Sequence, residues 1–392
     1  MSVRIERILP FLTLTVFLDL VGFGIILPLL PSYVDEMGGS PQTVGVLLAS
    51  FAAAQLVATP VLGRISDRHG RRRVIVLSLA ANAVAMLLFA LAASRQQLWL
   101  LFASRLLAGF TSGNIGACQA AIADVATGPA RARALGKLGA GVGLGMMLGP
   151  WIGGRVSTLG LAAPPLAAAL MALVALVGVA VFFPETNVAR IDRTRPPTTM
   201  RALAANPTIV LVMALYFLTF LYMTNLQTAL ALLAADRFRW QKNQVADLFG
   251  LFGLVSLTMQ FAVVGPLAAR LRPPHIVLGA SLLAAGSLAC IGLAPHAWVM
   301  VAGLVGLASA LGLSLPLLAA LASQVAGPGE QGTVLGFAQS SGSLARTAGP
   351  LLWGVMYQHL GPTASFVGGS IAAILACAVS LRVQIRSDDP PS

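Results

Sequence analysis

Acidic residues are scarce in this chain: 13 of them stand in 392 residues, against 25 lysines and arginines. Charged residues of both signs make up 10% of the sequence and hydrophobic residues 57%. That is too little charge to coat a soluble chain of this length, and a mean hydropathy of +0.85 points the same way. The three cysteines, Cys118, Cys290 and Cys377, all fall within apolar runs at no partner spacing, which argues against a disulfide framework or a metal site. They read as small buried hydrophobes. The four histidines, His69, His275, His296 and His359, sit in loops or at the ends of apolar runs, without Ser/Asp partners or metal-ligand spacing. Glycine is plentiful at 40 residues, yet no Gly-rich segment carries the Lys-Ser/Thr of a phosphate loop. No enzyme, metal or cofactor is therefore expected, and no ATP drive. A net charge of +12 would suggest a nucleic-acid partner in a soluble chain. Here the positive residues lie in short loops beside apolar runs, so lipid headgroups and topology account for them.

Apolar length is what the sequence does have. Twelve runs, at about 8–32, 43–63, 74–94, 97–122, 134–158, 163–184, 207–233, 244–266, 275–294, 298–322, 333–357 and 363–381, come close to the ~20 residues that cross hydrocarbon as a helix. The expected fold class is an all-α integral membrane protein with twelve transmembrane helices. Met1–Arg7 and the run after it look at first like a signal peptide. The run is too long, carries Asp19 and lacks a small-residue cleavage site, so it reads as an uncleaved first span. With both termini on the cytoplasmic side, nearly all arginines fall in inner segments. The outer ones hold only Arg95, Arg155, Arg237, Arg239 and Lys242.

The stretch 187–206, with Pro196, Pro197 and four arginines, reads as a cytoplasmic linker between a six-helix bundle at 1–186 and another at 207–392. An internal repeat supports that division. Leu135-Gly136 and Gly149-Pro150 recur 200 residues on as Leu335-Gly336 and Gly349-Pro350. Two parallel halves make a pseudo-symmetric pair of bundles. Gly63-x-x-x-x-Arg68 recurs 202 residues on as Gly265-x-x-x-x-Arg270, which puts Asp67 on Ala269; at the 200-residue offset Asp124 falls on Gln324 and Arg105 on Val305, so ion chemistry is expected to concentrate in the first half.

The densest charge cluster is Gly63-Arg64-Ile65-Ser66-Asp67-Arg68-His69-Gly70-Arg71-Arg72-Arg73, between the second and third runs. Five arginines in eleven residues suit a topology anchor. That role explains neither Asp67 nor the framing Gly63 and Gly70. The stretch resembles the signature loop of the major facilitator superfamily, Gly-x-x-x-Asp-Arg-x-Gly-Arg-Arg. The resemblance implies the major facilitator fold and a cytoplasmic gate formed by Gly63, Asp67, Arg68, Gly70, Arg71, Arg72 and Asp124.

Asp19 is the one carboxylate well inside a run, and an Asp at a helix centre costs roughly 2.5–3.5 kcal/mol on insertion scales. It should face a polar cavity or a partner. Removing a carboxyl from water disfavours its ionised form, which makes Asp19 a candidate for proton exchange; a structural hydrogen bond is the plainer alternative. Its surroundings, Leu18-Asp19 with Gly22, Gly24, Pro28 and Pro31, resemble the first-span motif of drug:proton antiporters. Arg105, inside the fourth run, needs an acceptor, for which Asp19 and helix-end carbonyls are candidates. It matches the superfamily's fourth-span arginine, implicated in proton transfer or in bracing the first span. Arg346 is a second intramembrane cation with no acid near it in sequence, leaving an inter-helix bond or an anionic ligand open.

Gly141, Gly145, Gly149, Gly153 and Gly154, with Pro150, lay small residues along the fifth run, a pattern that lets helix backbones approach closely in lipid. As Gly-Pro-x-x-Gly-Gly it resembles the antiporter motif of exporters. Further stretches, among them Ala123-Asp124-Val125, Phe183-Pro184-Glu185-Thr186, Asp236-Arg237-Phe238-Arg239-Trp240 and Gln55, are similar to tetracycline-resistance exporters. Those exporters carry acids in the third and ninth spans and a histidine in the eighth. This chain has Ala83-Val84-Ala85-Met86, Ser281-Leu282-Leu283-Ala284 and Ser256 there, which favours a more lipophilic or cationic substrate.

The resemblance thus implies a proton-driven antiporter exporting small amphipathic compounds or drugs across the bacterial inner membrane. The proton is its coupling ion, a small molecule its substrate, and it works as a monomer in the bilayer. Gln55, Asn225, Gln227, Gln260 and Arg346 are expected to line the substrate cavity. A symporter or facilitator of a sugar or metabolite remains an alternative, as does a non-transporting membrane receptor or scaffold.

Overall fold

The computed structural model describes residues 3–112, 114–125, 128–186, 206–325 and 331–388, and among them every regular element is helical. Helix is the outcome that an apolar chain in lipid requires, because each backbone N–H and C=O must find its partner within the segment. The helices are α1 Val3–Ile26, α2 Leu30–Glu36, α3 Pro41–His69, α4 Arg71–Arg95, α5 Leu98–Thr111, α6 Asn114–Val125, α7 Gly128–Val156 and α8 Ala163–Phe182. They continue as α9 Pro207–Phe238, α10 Lys242–Thr258, α11 Val264–Ala268, α12 Pro273–Leu293, α13 Ala297–Gln324 and α14 Gln331–Asp388.

Nine stretches among the described residues are long and apolar enough to cross a membrane. They match the expected twelve runs once four features are read locally. Val334–Val383 holds two runs, turned at Gly361, whose φ of +83° breaks the helix inside α14. The fourth run is divided into α5 and α6: Ser112 leaves the helix at ψ +32° and its hydroxyl donates to the Gly109 carbonyl at 2.8 Å. The fifth run is α7. The eighth continues from α10 through a π-helical segment, Met259–Val263, into α11.

Proline and polar caps mark the helix starts. Pro207 opens α9 behind Asn206, whose side-chain oxygen accepts the Thr208 N–H at 3.0 Å. Pro273 stands at the start of α12, where a missing N–H costs nothing, without a side-chain cap.

The chain divides into two compact units. The first comprises Met1–Ser40, Ser50–Asp192 and Gln241–Gly253, the second Pro41–Ala49, Arg193–Trp240 and Leu254–Ser392. The expected linker at 187–206 lies, but for Asn206, outside the described residues. In the first unit α1 packs on α7 and α8, and α4 on α8 and α5. Ile8, Leu12, Val16, Ile75, Leu79 and Val179 form part of its core. In the second, α9 packs on α14, and α12 on α13 and α14. Faces turned away from these cores are apolar too, with Leu77 66% and Val181 64% exposed, as contact with lipid requires.

The α1–α7 contact is made by glycine. A Cβ on Gly141 would lie 2.9 Å from the Thr13 carbonyl oxygen, one on Gly145 2.7 Å from Leu20 Cβ, and one on Gly149 2.7 Å from Gly24 Cα. One on Gly153 would run into the Ile25 carbonyl. Four positions at a spacing of four therefore seat α7 directly on the α1 backbone. Gly154 points elsewhere, against Ala246 of the same unit, and Pro150 Cδ fills the space beside Gly24.

Candidate functional site

The stripe fixes α1 and thereby Asp19, which is half-buried. Asn82 of α4 donates its Nδ2–H to Asp19 Oδ1 at 3.0 Å, and Asn114, the first residue of α6, supplies a second side-chain hydrogen bond. Asn114 reaches this place because the fourth run breaks just before it; its own Oδ1 accepts the Ile115 N–H at 2.7 Å. Asp19, Phe23, Phe51, Asn82, Arg105 and Asn114 line a cavity of about 40 Å³. A water needs ~10–15 Å³ by the same measure, so a few waters fit beside the carboxylate.

Arg105 enters this cavity from α5 and is 4% exposed. Among the described residues it forms no ion pair with Asp19 and donates to no helix-end carbonyl, the two acceptors expected for it. Its Nη2 reaches Met86 Sδ at 3.5 Å, its Cζ lies 4.9 Å from the centre of the Phe89 ring, and its Nε is buried without a partner. Tyr33 stands edge-on to Phe89, with ring centres 4.9 Å apart. The structure thus brings one acid and one guanidinium to a shared cavity and holds them apart. A thioether and a ring face are weak acceptors, so the cation keeps most of its demand for an anion.

A second constellation surrounds the turn between α3 and α4. Gly70 has φ +103°, and a Cβ there would collide with the Glu185 carboxylate. Glu185 accepts the Arg71 N–H at 2.8 Å and the Arg72 N–H at 3.2 Å, capping the positive end of α4. Arg71 also donates from Nε to Asp124 Oδ2 at 3.0 Å, from Nη2 to Oδ1 at 3.5 Å, and from Nη1 to Ser66 Oγ at 3.2 Å. The Arg72 guanidinium reaches the Ala180 carbonyl at 2.5 Å. Of the residues expected to form a gate, Gly70, Arg71, Arg72 and Asp124 therefore meet. Gly63 has open space around it and Arg68 is exposed. The Asp67 side chain lies outside the described residues. Glu185 was visible beforehand only within a family-like stretch; the cue to its role was an uncapped, arginine-rich helix start that needs an acid.

The expected cavity residues have different surroundings. Gln55 is half-buried in the first unit, and Gln227 in the second. Gln260 sits in the π-helical segment, its Nε2 3.5 Å from Ser256 Oγ. Asn225 is fully buried: its Nδ2 donates to the Ser365 carbonyl at 2.6 Å within the second unit, and its Oδ1 is buried without a partner among the described residues. Arg346 donates from Nη2 to Ser343 Oγ at 2.7 Å, and its Cζ lies 4.7 Å from the centre of the Phe220 ring. Asp236 and Arg237 end α9 as structural ties: Asp236 accepts the Tyr357 hydroxyl at 2.7 Å, and Arg237 donates to the Gly292 and Ala294 carbonyls at 2.9 and 3.1 Å.

Comparison with known proteins matches the chain to a family. The family model described as Major Facilitator Superfamily matches residues 12–224 and 212–392. The chain is 31% identical over 382 residues to the class C tetracycline resistance protein of Escherichia coli, covering 94% of each. It is 27% identical to multidrug resistance protein 2 of Bacillus subtilis, covering 90% of this chain and 89% of that one. The solved structure of the human organic anion transporter MFSD10 (TETRAN) superposes with a TM-score of 0.75 at 27% identity, over 96% of this chain and 99% of that one.

Proposed function

The chain belongs to the Major Facilitator Superfamily, and we propose that it is a proton-coupled antiporter exporting small amphipathic compounds from a bacterial cytoplasm. A multi-pass membrane transporter with two six-helix halves comes with the family. Direction, coupling ion and substrate are the further reading. Its names among relatives, tetracycline and multidrug resistance proteins, favour drug-like substrates. It would work as a monomer in the inner membrane, with both termini in the cytoplasm.

The observation that carries this reading is Asp19 in its small polar cavity, facing Arg105 without pairing to it. Ionised, Asp19 is attracted to the guanidinium across the cavity; protonated, that pull lapses. Each proton taken from the outer side and released inside would thus change a force between α1 and α5. Substrate and proton would alternate on the two-sided cycle of the fold. One charge crossing ~100 mV gains ~2.3 kcal/mol, enough for roughly a fifty-fold gradient.

The test uses inverted vesicles carrying the full chain and an acidic lumen. Adding a transported drug should raise lumen pH, and a protonophore should stop drug accumulation. Accumulation that ignores the protonophore would rule out proton coupling.

A further inference from the structure

The geometry points to an anion-reading subsite in the second unit, built by Arg346 and Phe220, which makes the preferred cargo an amphipathic aromatic anion. Arg346 stands in the middle of the Val334–Gly361 part of α14. A permanent charge at that depth is costly unless it is paired or faces a polar space. Its contacts do not discharge it: Ser343 Oγ, one turn back on the same helix at 2.7 Å, and the face of Phe220 on α9. Among the described residues no carboxylate pairs with it.

The arrangement is held from both sides. Phe220 occupies its place because residue 342 is glycine; a Cβ there would lie 2.7 Å from the ring. Tyr216 stacks on Phe220 at 6.2 Å and keeps a buried hydroxyl without a partner. The guanidinium thus lies on an aromatic platform, anchored at one nitrogen, and among the described residues its remaining N–H groups have no hydrogen-bond partner. A guanidinium presents a planar fork that suits a carboxylate, and the adjoining rings suit an apolar body.

Charge accounting favours the same class. The charged side chains seated mid-span among the described residues are Asp19, Arg105 and Arg346, one acid against two cations. A cationic cargo would have to compete for the acid assigned to the proton, whereas an anion meets an unpaired cation. The unpaired chemistry of Arg346 therefore displaces the lipophilic or cationic substrate expected from the missing acids. The inference rests on the exporter reading for the direction of movement, while the subsite itself is accessible to equilibrium binding.

The experiment is calorimetric titration of the purified full chain in lipid nanodiscs with matched probes. These are phenylacetate and 1-naphthylacetate, their neutral acetamides, and the corresponding ethylamines. At least one acid should bind about tenfold or more tightly than its amide, the scale of one charge-assisted hydrogen bond, and the amine should bind weakest. Arg346→Gln should close the acid–amide gap without weakening the amide, and Arg346→Lys should keep part of it. Should Arg346→Gln not fold, Ser343→Ala serves, since loosening the anchored nitrogen should narrow the gap. No acid bound better than its amide, or a gap that survives these variants, overturns the proposal. An acid that binds with this profile yet is never pumped would leave the subsite standing and remove the exporter reading. A proton-driven exporter with no acid preference would do the reverse.

Discussion

The Glu185 carboxylate accepts the Arg71 backbone N–H at 2.8 Å, so the residue that follows the sixth span caps the helix that forms the third. The contact needs Gly70 twice over: for its positive φ and for the space that the carboxylate fills. Gly70→Ala should therefore cost about 1–3 kcal/mol from the backbone alone, because φ +103° with ψ +149° is a region essentially reserved for glycine, and more from the collision. Glu185→Ala should cost about 1 kcal/mol as a lost cap, and Glu185→Gln less because one acceptor survives. Thermal unfolding in a single detergent orders the three variants. Equal melting of Gly70→Ala and wild type would show that the turn relaxes around a side chain.

The Arg71–Asp124 pair is a second tie at the same turn, with side chains 6% and 12% exposed. Removing one member of a pair so enclosed strands the other, at a cost of about 3 kcal/mol. Asp124→Asn should thus lower the melting temperature and transport together. Asp67, whose counterpart in the repeat is Ala269, is the acid that the gate proposal singles out in this loop. Asp67→Glu should retain more transport than Asp67→Asn at equal membrane level. Wild-type export by Asp67→Asn would reduce the loop to a topology anchor.

The fifth-run glycines offer an internal control. Gly149→Ala would bring a methyl to 2.7 Å from Gly24 Cα and from the Val21 carbonyl oxygen, which forces α1 and α7 apart. Gly139 has nothing within 4 Å of its Cβ position. Gly139→Ala should be neutral, or slightly stabilising because alanine favours helix by up to ~1 kcal/mol over glycine. Gly149→Ala should lose both stability and transport. A matched response of the two variants is the result that would dissolve the close-contact argument.

The parts of this arrangement that the sequence made legible are those carried by strong local signals. Asp19 stood out because a lone acid in an apolar run is expensive, and the glycine stripe because its period of four is visible along one helix. Its neighbours were not legible. Asn82 meets Asp19 across 63 positions of chain, and an amide in an apolar run carries no mark of which helix it will face. Asn114 was hidden differently: apolar continuity made 97–122 look like one helix, although Ser112-Gly113-Asn114 is a turn-forming triplet. Asn225 shows how little polarity alone says of a cavity: its Nδ2 is spent on the Ser365 carbonyl, while its Oδ1 stays buried without a partner among the described residues.

The third and ninth spans bear on tetracycline. Ala83–Met86 and Ser281–Ala284 carry no acid, and both Ala83 and Ser281 are buried. A magnesium–tetracycline complex brings a cation that these spans do not neutralise. Inverted vesicles should therefore show weak tetracycline uptake that is indifferent to magnesium. Strong uptake that rises with magnesium would mean that other groups bind the chelate.

Asp19 is the residue on which coupling should depend. An exporter must link inward proton flow to outward substrate flow through a group that titrates, and Arg105 does not deprotonate in a protein. The histidines lie at helix ends and in loops. Buried Cys118 shares none of the polar cavity lining that serves Asp19. Asp19→Asn preserves size and can still hydrogen-bond with Asn82, so it should fold, bind substrate and equilibrate it downhill, yet fail to pump. Asp19→Glu should pump partially with a displaced pH optimum, since its carboxyl moves relative to Asn82 and Asn114. Asn82→Ala should keep pumping but alter the pH profile, because it removes a 3.0 Å bond to the carboxylate and no titrating group. The decisive measurement is proton release from purified protein on adding substrate in weak buffer: present in wild type, absent in Asp19→Asn. If Asp19→Asn still concentrates substrate against a gradient, the proton travels through another acid, and Asp67 or Asp124 would be the next to substitute.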